Sequence, residues 1–250
     1  MNMIMLLILA LVLCAYFWSD CPKMLKDNKQ MLLGVVVGLV LCKYFKGDLR
    51  DISFLRRVFE EAKKCNKPIS SVIHFAGLKS VSESIRYPLK YWDNNVIGSI
   101  NLFKIMDEFS CRTIVFSSSA CIYGLTNQTF INEECEIKPI NPYGQTKATI
   151  EKILNDLYVN SLSDWKIICL RYFNPVGAHH SGEIGEDPIG IPNNLFPYIS
   201  QVAIERRKEL DIFGSDWKTI DGTGVRDYIH IMDLAEGTNI LLGLLKGLNH

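Results

Sequence analysis

Short apolar runs alternate with longer stretches of helical periodicity between residues 40 and 175. The runs are short enough to be buried strands, and the stretches between them place apolar side chains on one face of a helix. Expected strands cover residues 40–45, 71–75, 113–116 and 166–173, and expected helices begin near residues 52, 91 and 143. Such alternation is typical of a parallel sheet. The pattern therefore predicts an α/β fold.

The amino-terminal residues 1–45 follow a different pattern. Residues 3–18 form an almost unbroken apolar run, and residues 31–42 form a shorter one. A membrane-spanning helix needs about 20 apolar residues, so the first run is marginal and the second is too short. If the first run inserts, the lysines within residues 23–29 would hold the downstream side in the cytoplasm. The alternative is that both runs are buried elements, so a membrane contact through residues 3–18 stays open.

The charges of the chain balance. With 27 basic and 27 acidic residues, the sequence encodes no broad attraction to nucleic acid, and no nucleic acid partner is expected. The eight cysteines form no Cys-x-x-Cys pair, and several lie in apolar segments where a thiol packs as a small hydrophobic group. Reduced cysteines indicate a cytoplasmic protein.

One segment, residues 141–147, brings a tyrosine and a lysine to a spacing of four. On a helix this spacing places Tyr143 and Lys147 on one face. A phenol is a poor base at neutral pH, and a neighbouring ammonium group is expected to lower its pKa. The pair is a candidate proton carrier. The alternative is an aromatic core residue beside a solvated lysine, because this spacing is common.

Two expected strands end in residues that suit a ligand site. The strand at 113–116 runs into Ser117, Ser118 and Ser119, and the strand at 71–75 ends before Gly77. In an open parallel sheet, ligands bind at the carboxyl ends of the strands. We therefore expect a binding site where these two strands end.

Six segments together resemble the UDP-glucose 4-epimerases of the extended short-chain dehydrogenase/reductase family, the NAD-dependent epimerases and dehydratases. They cover residues 71–79, 113–124, 141–147, 171–177, 185–195 and 221–230. The resemblance runs from about residue 46 to about residue 245. It implies a Rossmann-like parallel sheet with helices on both faces, incomplete at both ends, and part of a small substrate-binding subdomain.

The resemblance also implies a chemistry. C4 of UDP-glucose or UDP-galactose would be inverted through a transient 4-keto sugar, with NAD as cofactor and the UDP-sugar as substrate. Tyr143 would be the base, Lys147 would lower its pKa and bind the nicotinamide ribose, and Ser119 would align the sugar hydroxyl. Relatives that dehydrate sugars carry an acidic pair after the serines, where this chain has Ala120 and Cys121. That difference favours epimerisation.

Further site residues are assigned by the same resemblance. The residues implied to bind NAD are Asp48, Leu49, Phe75, Ala76, Gly77, Lys79, Asn94, Ser117, Tyr143, Lys147 and Tyr172. The residues implied to bind the UDP-sugar are Ser119, Asn174, Asn194, Leu195 and Arg226, with the arginine on the diphosphate.

Simpler interpretations remain for some of these residues. Asp48 is alternatively a helix cap, His74 a core histidine, and Arg226 the partner of Asp227 in a salt bridge. The residues His179, His180, Glu183, Glu186 and Asp187 fit no regular metal-ligand spacing, so no metal is expected.

The chain departs from the family at its beginning. A Gly-x-x-Gly-x-x-Gly turn, which lets the backbone approach the cofactor pyrophosphate, is absent, and the glycines at 34 and 38 have the wrong spacing. The family also continues beyond residue 250. A catalytically inactive fragment, membrane-tethered if residues 3–18 insert, is therefore the competing hypothesis, and an epimerase for N-acetylated or uronic UDP-sugars is the nearest rival activity.

The chain is expected to divide into three parts. These are a divergent hydrophobic segment at 1–45, a partial NAD-binding domain at 46–175, and a partial substrate-binding region at 176–250 where loops predominate. Relatives commonly form homodimers through two helices, which correspond here to residues 92–108 and 144–159.

Overall fold

The computed structural model describes residues 45–126, 128, 130–160, 164–188, 192, 194–212 and 214–247. Our interpretations of residues 3–18 and 31–42, and all but the last residue of the expected strand at 40–45, lie outside the described residues. Among the helices that the structure describes, none is long and apolar enough to cross a membrane.

A three-stranded parallel sheet forms the centre of the described chain. Its strands are β1 (Val72–His74), β2 (Thr113–Ser119) and β3 (Lys166–Tyr172), in the order β1-β2-β3. Val72 pairs with Ile114, and Thr113 pairs with Lys166. The middle strand is almost entirely buried. These strands confirm three of the expected runs, and β2 extends three residues further, through the serines.

Helix α1 (Ile52–Lys64) precedes the sheet, as the apolar spacing predicts. Its amino terminus is capped by Asp51, whose carboxylate accepts a hydrogen bond from the amide of Phe54. The alternative interpretation of Asp48 as the cap is therefore wrong. The carboxylate of Asp48 instead accepts from the amide and the guanidinium of Arg50.

The connection from β1 to β2 is mostly helical. It contains α2 (Val81–Arg86), α3 (Pro88–Tyr91), a wider π-helical turn (Trp92–Ile97) and α4 (Gly98–Glu108). We expected one regular helix from residue 91. The extra residue of the π-helical turn changes which side chains face inward, so Tyr91, Asn94 and Asn95 are all buried with Val96.

Helix α5 (Pro142–Asn160) connects β2 to β3 and carries the tyrosine and lysine of the motif. Ile150 and Leu154 of this helix are buried in the main core, together with Ile114 and Phe116 of β2. Helices α1 and α4 contribute to the same core. These three helices therefore cover one face of the sheet.

The region after Pro175, which we expected to be mostly loops, holds four further elements. They are β4 (Asn174–Val176), α6 (Leu195–Ala203), β5 (Tyr228–His230) and α7 (Ile231–Gly247), and β4 pairs in parallel with β5. Ile231, Leu234 and Ala235 of α7 pack against Phe75 and Ile73. Val72 faces the main core. Because neighbouring residues of a strand point to opposite faces of the sheet, Ile73 faces away from that core. Helix α7, which packs against Ile73, therefore covers the opposite face of the sheet. Helices on both faces of the sheet are thus confirmed.

Candidate active site

Tyr143 lies in the first turn of α5, directly after the cap of that helix. The side-chain oxygen of Asn141 accepts a hydrogen bond from the amide of Gly144 at 2.8 Å, and Pro142 occupies a position where no amide hydrogen is needed. The amide of Tyr143 donates to the hydroxyl of Ser84 in α2. The local sequence and one tertiary contact together fix the start of α5 and therefore the position of Tyr143.

The hydroxyl of Ser119, the last residue of β2, lies near enough to the phenol of Tyr143 to oppose the rise of its pKa. Ser119 Oγ also accepts from the amide of Cys121, which fixes the start of the turn after the strand. A side chain at Gly144 would place its Cβ 2.7 Å from the carbonyl oxygen of Cys121. The glycine thus allows α5 to approach the turn closely enough for the contact between Ser119 and Tyr143.

Lys147 lies one helical turn after Tyr143 and is buried. Its Nζ donates to the carbonyl oxygen of Ser117 at 2.6 Å and lies 4.7 Å from the centroid of the Phe116 ring. Burial lowers the pKa of Lys147 to about 8, while the charge of Glu151 opposes that shift. The ammonium group is therefore held by the backbone at the end of the central strand.

The expectation that Lys147 lowers the pKa of Tyr143 is wrong for this structure. Burial raises the pKa of Tyr143, and the hydroxyl of Ser119 opposes the rise without cancelling it. The phenol lies in a site that excludes water, and the lysine is directed at the carbonyl of Ser117. The arrangement thus holds a neutral phenol.

The side chain of Asn95, in the π-helical turn, joins the segment after β1 to helix α5, which carries Tyr143 and Lys147. Asn95 accepts from the amide of Leu78 at 2.7 Å and donates to its carbonyl oxygen and to Thr146 of α5. A Cβ at Gly77 would lie 3.3 Å from the side-chain oxygen of Asn95, a tight approach that glycine relieves. Residues 76–79, expected to bind the cofactor, and the helix of Tyr143 therefore share one partner.

The residues at the carboxyl ends of β1 and β2 suit a dinucleotide. The hydroxyl of Ser118 is buried at the end of β2 and has no hydrogen-bond partner among the described residues, as expected for a group that meets a ligand. Phe75 and Ser117 are buried beside it, Ala76 is half-buried, and Asn94 is buried in the π-helical turn. The site residues present here fit NAD.

Lys79 adds a positive charge to the same edge. Burial lowers its pKa, and the carboxylate of Glu186 opposes that shift. The other contact of Glu186 is a hydrogen bond of 3.0 Å from the side-chain amide of Asn194. Glu186 thus connects a residue expected to bind NAD with one expected to bind the UDP-sugar.

Asp48 and Leu49 lie beside the start of α4. Arg50 holds the pKa of Asp48 below its usual range through hydrogen bonds, and the same guanidinium forms a salt bridge with Asp93. Leu49 is buried, and a Cβ at Gly98 would come within 3.0 Å of its side chain. Asp48 is thus linked through Arg50 to the π-helical turn, and Leu49 packs against the first residue of α4.

The remaining predicted residues lie around β3, β4 and β5. Tyr172 shares a hydrogen bond with Thr238 of α7, and Asn174 donates to the carbonyl oxygen of Asp227. Arg226 is exposed and donates to the carbonyl oxygen of Val225, and the ion pairs of the described residues include none between it and Asp227. Leu195 begins α6 and is half exposed. Among the described contacts, the bond to Asp227 joins Asn174 to the segment that contains Arg226. None of them joins Leu195 to Asn174 or to Arg226.

Two other sequence features have plainer roles. The two histidine rings at 179 and 180 stack with centroids 4.0 Å apart, and among the described residues no group of three or more potential ligands could hold a metal ion. His74 is buried, hydrogen-bonded to Ser99, and its pKa is lowered to about 3 by burial and by the charge of Lys147.

Sequence reasoning missed three residues that the structure brings to the site. Neither Asn95 nor Ser84 was singled out from the sequence, and Glu186 was considered only as a loose metal ligand. For Asn95 a signal existed, because two consecutive asparagines inside a helix are unfavourable unless their side chains are engaged.

Comparison with known proteins connects this geometry to a family. Residues 21–247 match the model of the NAD dependent epimerase/dehydratase family. The chain is 55% identical over 190 residues to UDP-glucose 4-epimerase 2 of Arabidopsis thaliana, an alignment that covers 76% of this chain and 53% of the relative. The chain therefore spans about half the length of the curated relatives it matches.

Solved structures show the same likeness. UDP-glucose 4-epimerase from Bifidobacterium longum, in complex with NAD+ and UDP, matches with a TM-score of 0.76 and 48% identity over 80% of this chain and 58% of that one. The enzyme from Stenotrophomonas maltophila, with bound NAD and formylated UDP-arabinopyranose, matches with a TM-score of 0.74 and 44% identity, covering 81% and 58% of the two chains. The fold is Rossmann-like, and the chain belongs to the NAD dependent epimerase/dehydratase family.

Proposed function

We propose that the protein is an NAD-dependent UDP-glucose 4-epimerase that interconverts UDP-glucose and UDP-galactose. The observation that carries the proposal is the placement of the Tyr143 phenol near Ser119, with Lys147 buried one turn further along the same helix. The named functions of the relatives support it.

The chain's own residues handle the proton in this proposal. The base is the tyrosinate form of Tyr143, whose oxygen accepts the proton of the sugar 4-hydroxyl, and Ser119 holds that hydroxyl in line. Bound NAD supplies a hydride acceptor at C4 and, when oxidised, a positive charge that favours the tyrosinate. Lys147 keeps an ammonium group at the end of β2. Burial of the phenol excludes water from the proton transfer.

The residues proposed to bind NAD and the UDP-sugar are chosen mainly from the segments at the carboxyl ends of the strands. For NAD they are Asp48, Leu49, Phe75, Ala76, Gly77, Lys79, Asn94, Ser117, Tyr143, Lys147 and Tyr172. For the UDP-sugar they are Ser119, Asn174, Asn194, Leu195 and Arg226. The support is the buried hydroxyl of Ser118, which has no hydrogen-bond partner among the described residues and lies in sequence between Ser117 and Ser119, and the contact of Glu186 with Asn194.

A catalytically inactive protein that retains sugar-nucleotide affinity is the second candidate, and one observation favours it. The given sequence contains no Gly-x-x-Gly-x-x-Gly turn, which in the family lets the backbone approach the cofactor pyrophosphate. An epimerase for a related UDP-sugar is the third candidate.

The assembly and the location of the protein belong to the same proposal. A homodimer through residues 92–108 and 144–159 is supported by exposed apolar side chains in those ranges, namely Ile97, Tyr158 and Val159. The cytoplasmic location rests on the cysteine pattern. Sedimentation of the purified protein tests the dimer.

The function is tested by measuring NAD in the purified 250-residue protein. Absorbance at equilibrium reports the amount of bound NAD. The fluorescence of reduced nicotinamide after UDP-glucose is added reports its reduction. Stoichiometric bound NAD, of which a fraction is reduced while the sugar turns over, supports the epimerase. A folded protein that binds UDP but neither retains nor binds NAD overturns the epimerase and supports the inactive protein.

A further inference from the structure

Helix α5 places a buried carboxylate, Glu151, one turn after the buried ammonium group of Lys147. Residues at this spacing of four lie on one face of a helix, where a lysine and a glutamate can form an ion pair. Lys147 is 5% exposed and Glu151 is 9% exposed, so both groups lie where an unpaired charge is costly. The spacing along the helix therefore favours a pair between these two side chains.

In the structure, Arg171 of β3 binds this carboxylate instead. The Nε atom of Arg171 donates to the two oxygens of Glu151 at 3.1 and 3.2 Å, and Nη2 donates to Oε2 at 2.8 Å. A planar guanidinium binds a carboxylate through two parallel bonds, which an ammonium group cannot reproduce. Arg171 is also held by the hydroxyl of Tyr123, to which it donates at 2.8 Å. The guanidinium is therefore fixed on Glu151.

Lys147 is left with a neutral partner. Its Nζ donates to the carbonyl oxygen of Ser117 at 2.6 Å, and the ring of Phe116 lies next to it. The other titratable groups around Lys147 are Tyr143 on its own helix, Cys121 in the turn after β2, Cys169 of β3 and His74 of β1. None of these four is a carboxylate. Among the described neighbours of Lys147, Glu151 is thus the group that can draw the ammonium away from Ser117.

We propose that Arg171 is a positioning residue for Lys147. By occupying the carboxylate of Glu151, Arg171 leaves the ammonium group on the carbonyl of Ser117, at the end of the strand that carries the site serines. Without Arg171, Lys147 turns along α5 to Glu151 and leaves that position. The proposal deepens the proposed function and rests on it only for the part that Lys147 plays in turnover. The competition for Glu151 is measured without substrate.

The direct test is the pH dependence of stability with and without Arg171. Burial lowers the pKa of Lys147 to about 8, so the stability of the wild type relative to Lys147→Met should rise between about pH 8 and pH 10.5. In Arg171→Met the ammonium group pairs with Glu151, which raises its pKa towards the ordinary value. The same comparison in the Arg171→Met background should then show a rise less than about half as large. An equal rise in both backgrounds would overturn the proposal.

Adding Glu151→Leu to Arg171→Met separates the competition from a general loss of structure. The double variant lacks the guanidinium and also the carboxylate that would attract Lys147, so the ammonium group stays on Ser117. We expect its pH-dependent rise, again relative to a Lys147→Met partner, to be at least as large as that of the wild type. If the double variant shows the same reduced rise as Arg171→Met, Arg171 does not act through Glu151 and the proposal fails.

Tyr123→Phe and Arg56→Met are the matched controls, each compared with its own Lys147→Met partner. Tyr123→Phe removes another contact of Arg171 and keeps the bonds to Glu151. Arg56→Met removes a similar guanidinium pair, with Glu108 on the protein surface. Both variants should keep the wild-type rise. A reduced rise in either one would show that the effect does not come from the carboxylate of Glu151, and would contradict the proposal.

Turnover gives a second readout. In Arg171→Met, kcat at pH 7 should fall about tenfold with KM for UDP-galactose within about threefold, and the loss of activity at high pH should move upward by about one pH unit. The double variant should recover most of the lost kcat although it lacks two charged groups. A double variant as slow as Arg171→Met contradicts the proposal.

Arg171→Gln provides a second variant in case Arg171→Met does not fold. It keeps a donor for Glu151 and removes the positive charge, so it should reduce the pH-dependent rise in the same direction by a smaller amount. A rise equal to that of the wild type in Arg171→Gln would overturn the proposal as well. If the wild-type chain has no turnover, the proposed function fails, and the unfolding data still decide the role of Arg171.

Discussion

The Nζ atom of Lys147 donates a hydrogen bond to the carbonyl oxygen of Ser117 at 2.6 Å, and both residues are buried. A carbonyl compensates an ammonium group less than a carboxylate does, so the cost of burying the charge remains visible as a pKa of Lys147 lowered to about 8. The lysine therefore titrates near neutral pH in the folded protein, at a fixed position one turn from Tyr143.

This shift predicts a pH dependence of stability that belongs to Lys147. The ordinary pKa of lysine is 10.5, so between about pH 8 and pH 10.5 the unfolded chain binds more protons than the folded one. The stability of the wild type relative to Lys147→Met should therefore rise over that window, by roughly 2 kcal/mol. Urea unfolding of both proteins at pH 7 and pH 10 measures it. A difference that stays constant would show that the lysine is not charged in a buried site.

A buried ion pair lies next to the lysine on the same helix. Arg171 of β3 and Glu151 of α5 are 2.8 Å apart with side chains 19% and 9% exposed, and Arg171 also donates to the hydroxyl of Tyr123. Arg171→Met should cost about 3 kcal/mol, because it leaves the carboxylate buried without a partner. The double variant with Glu151→Leu should recover part of that loss.

The comparison for this ion pair is Lys152→Met, which removes an exposed pair with Asp156. We expect that variant to change the free energy of unfolding by less than about 0.5 kcal/mol. Chemical denaturation of the wild type, Arg171→Met, Glu151→Leu and the double variant gives the cycle, and Lys152→Met is measured beside it. A double variant that is as unstable as the sum of the single ones would mean that the two side chains do not interact.

The turn after the serines depends on one glycine. Gly124 has φ +65°, and a Cβ there would lie 2.1 Å from the carbonyl oxygen of Lys138. Gly182 has a similar φ of +70° with nothing within 4 Å of such a Cβ. Gly182→Ala should cost about 1 kcal/mol from backbone conformation alone, and Gly124→Ala about 3 kcal/mol because the clash is added. Equal costs in thermal unfolding would show that the turn adjusts freely.

Sequence reasoning predicted the elements whose signals are local. The apolar runs located β1, β2 and β3, and the spacing of Tyr143 and Lys147 placed them on one helix because periodicity depends on neighbours along the chain. Helix α7 was missed because its glycines at 237, 243 and 247 weaken the helical pattern, while its position against Phe75 depends on tertiary packing.

The site was predicted less completely than the fold. The resemblance supplied the residues that meet ligands, whereas Asn95, Ser84 and Glu186 act through contacts between segments far apart in sequence. The direction of the Tyr143 pKa could not be predicted from spacing either. Spacing shows that a lysine is one turn away, but the shift depends on how deeply the phenol is buried and on where the ammonium points.

The measurement that tests the central claim most directly compares the wild type with Tyr143→Phe in the conversion of UDP-galactose to UDP-glucose, followed by proton NMR with NAD present. The variant loses only the phenol oxygen, so UDP binding measured by calorimetry should stay within about threefold while turnover falls by about a thousandfold or more. Turnover in the variant equal to that of the wild type would contradict the assignment of Tyr143 as the proton carrier.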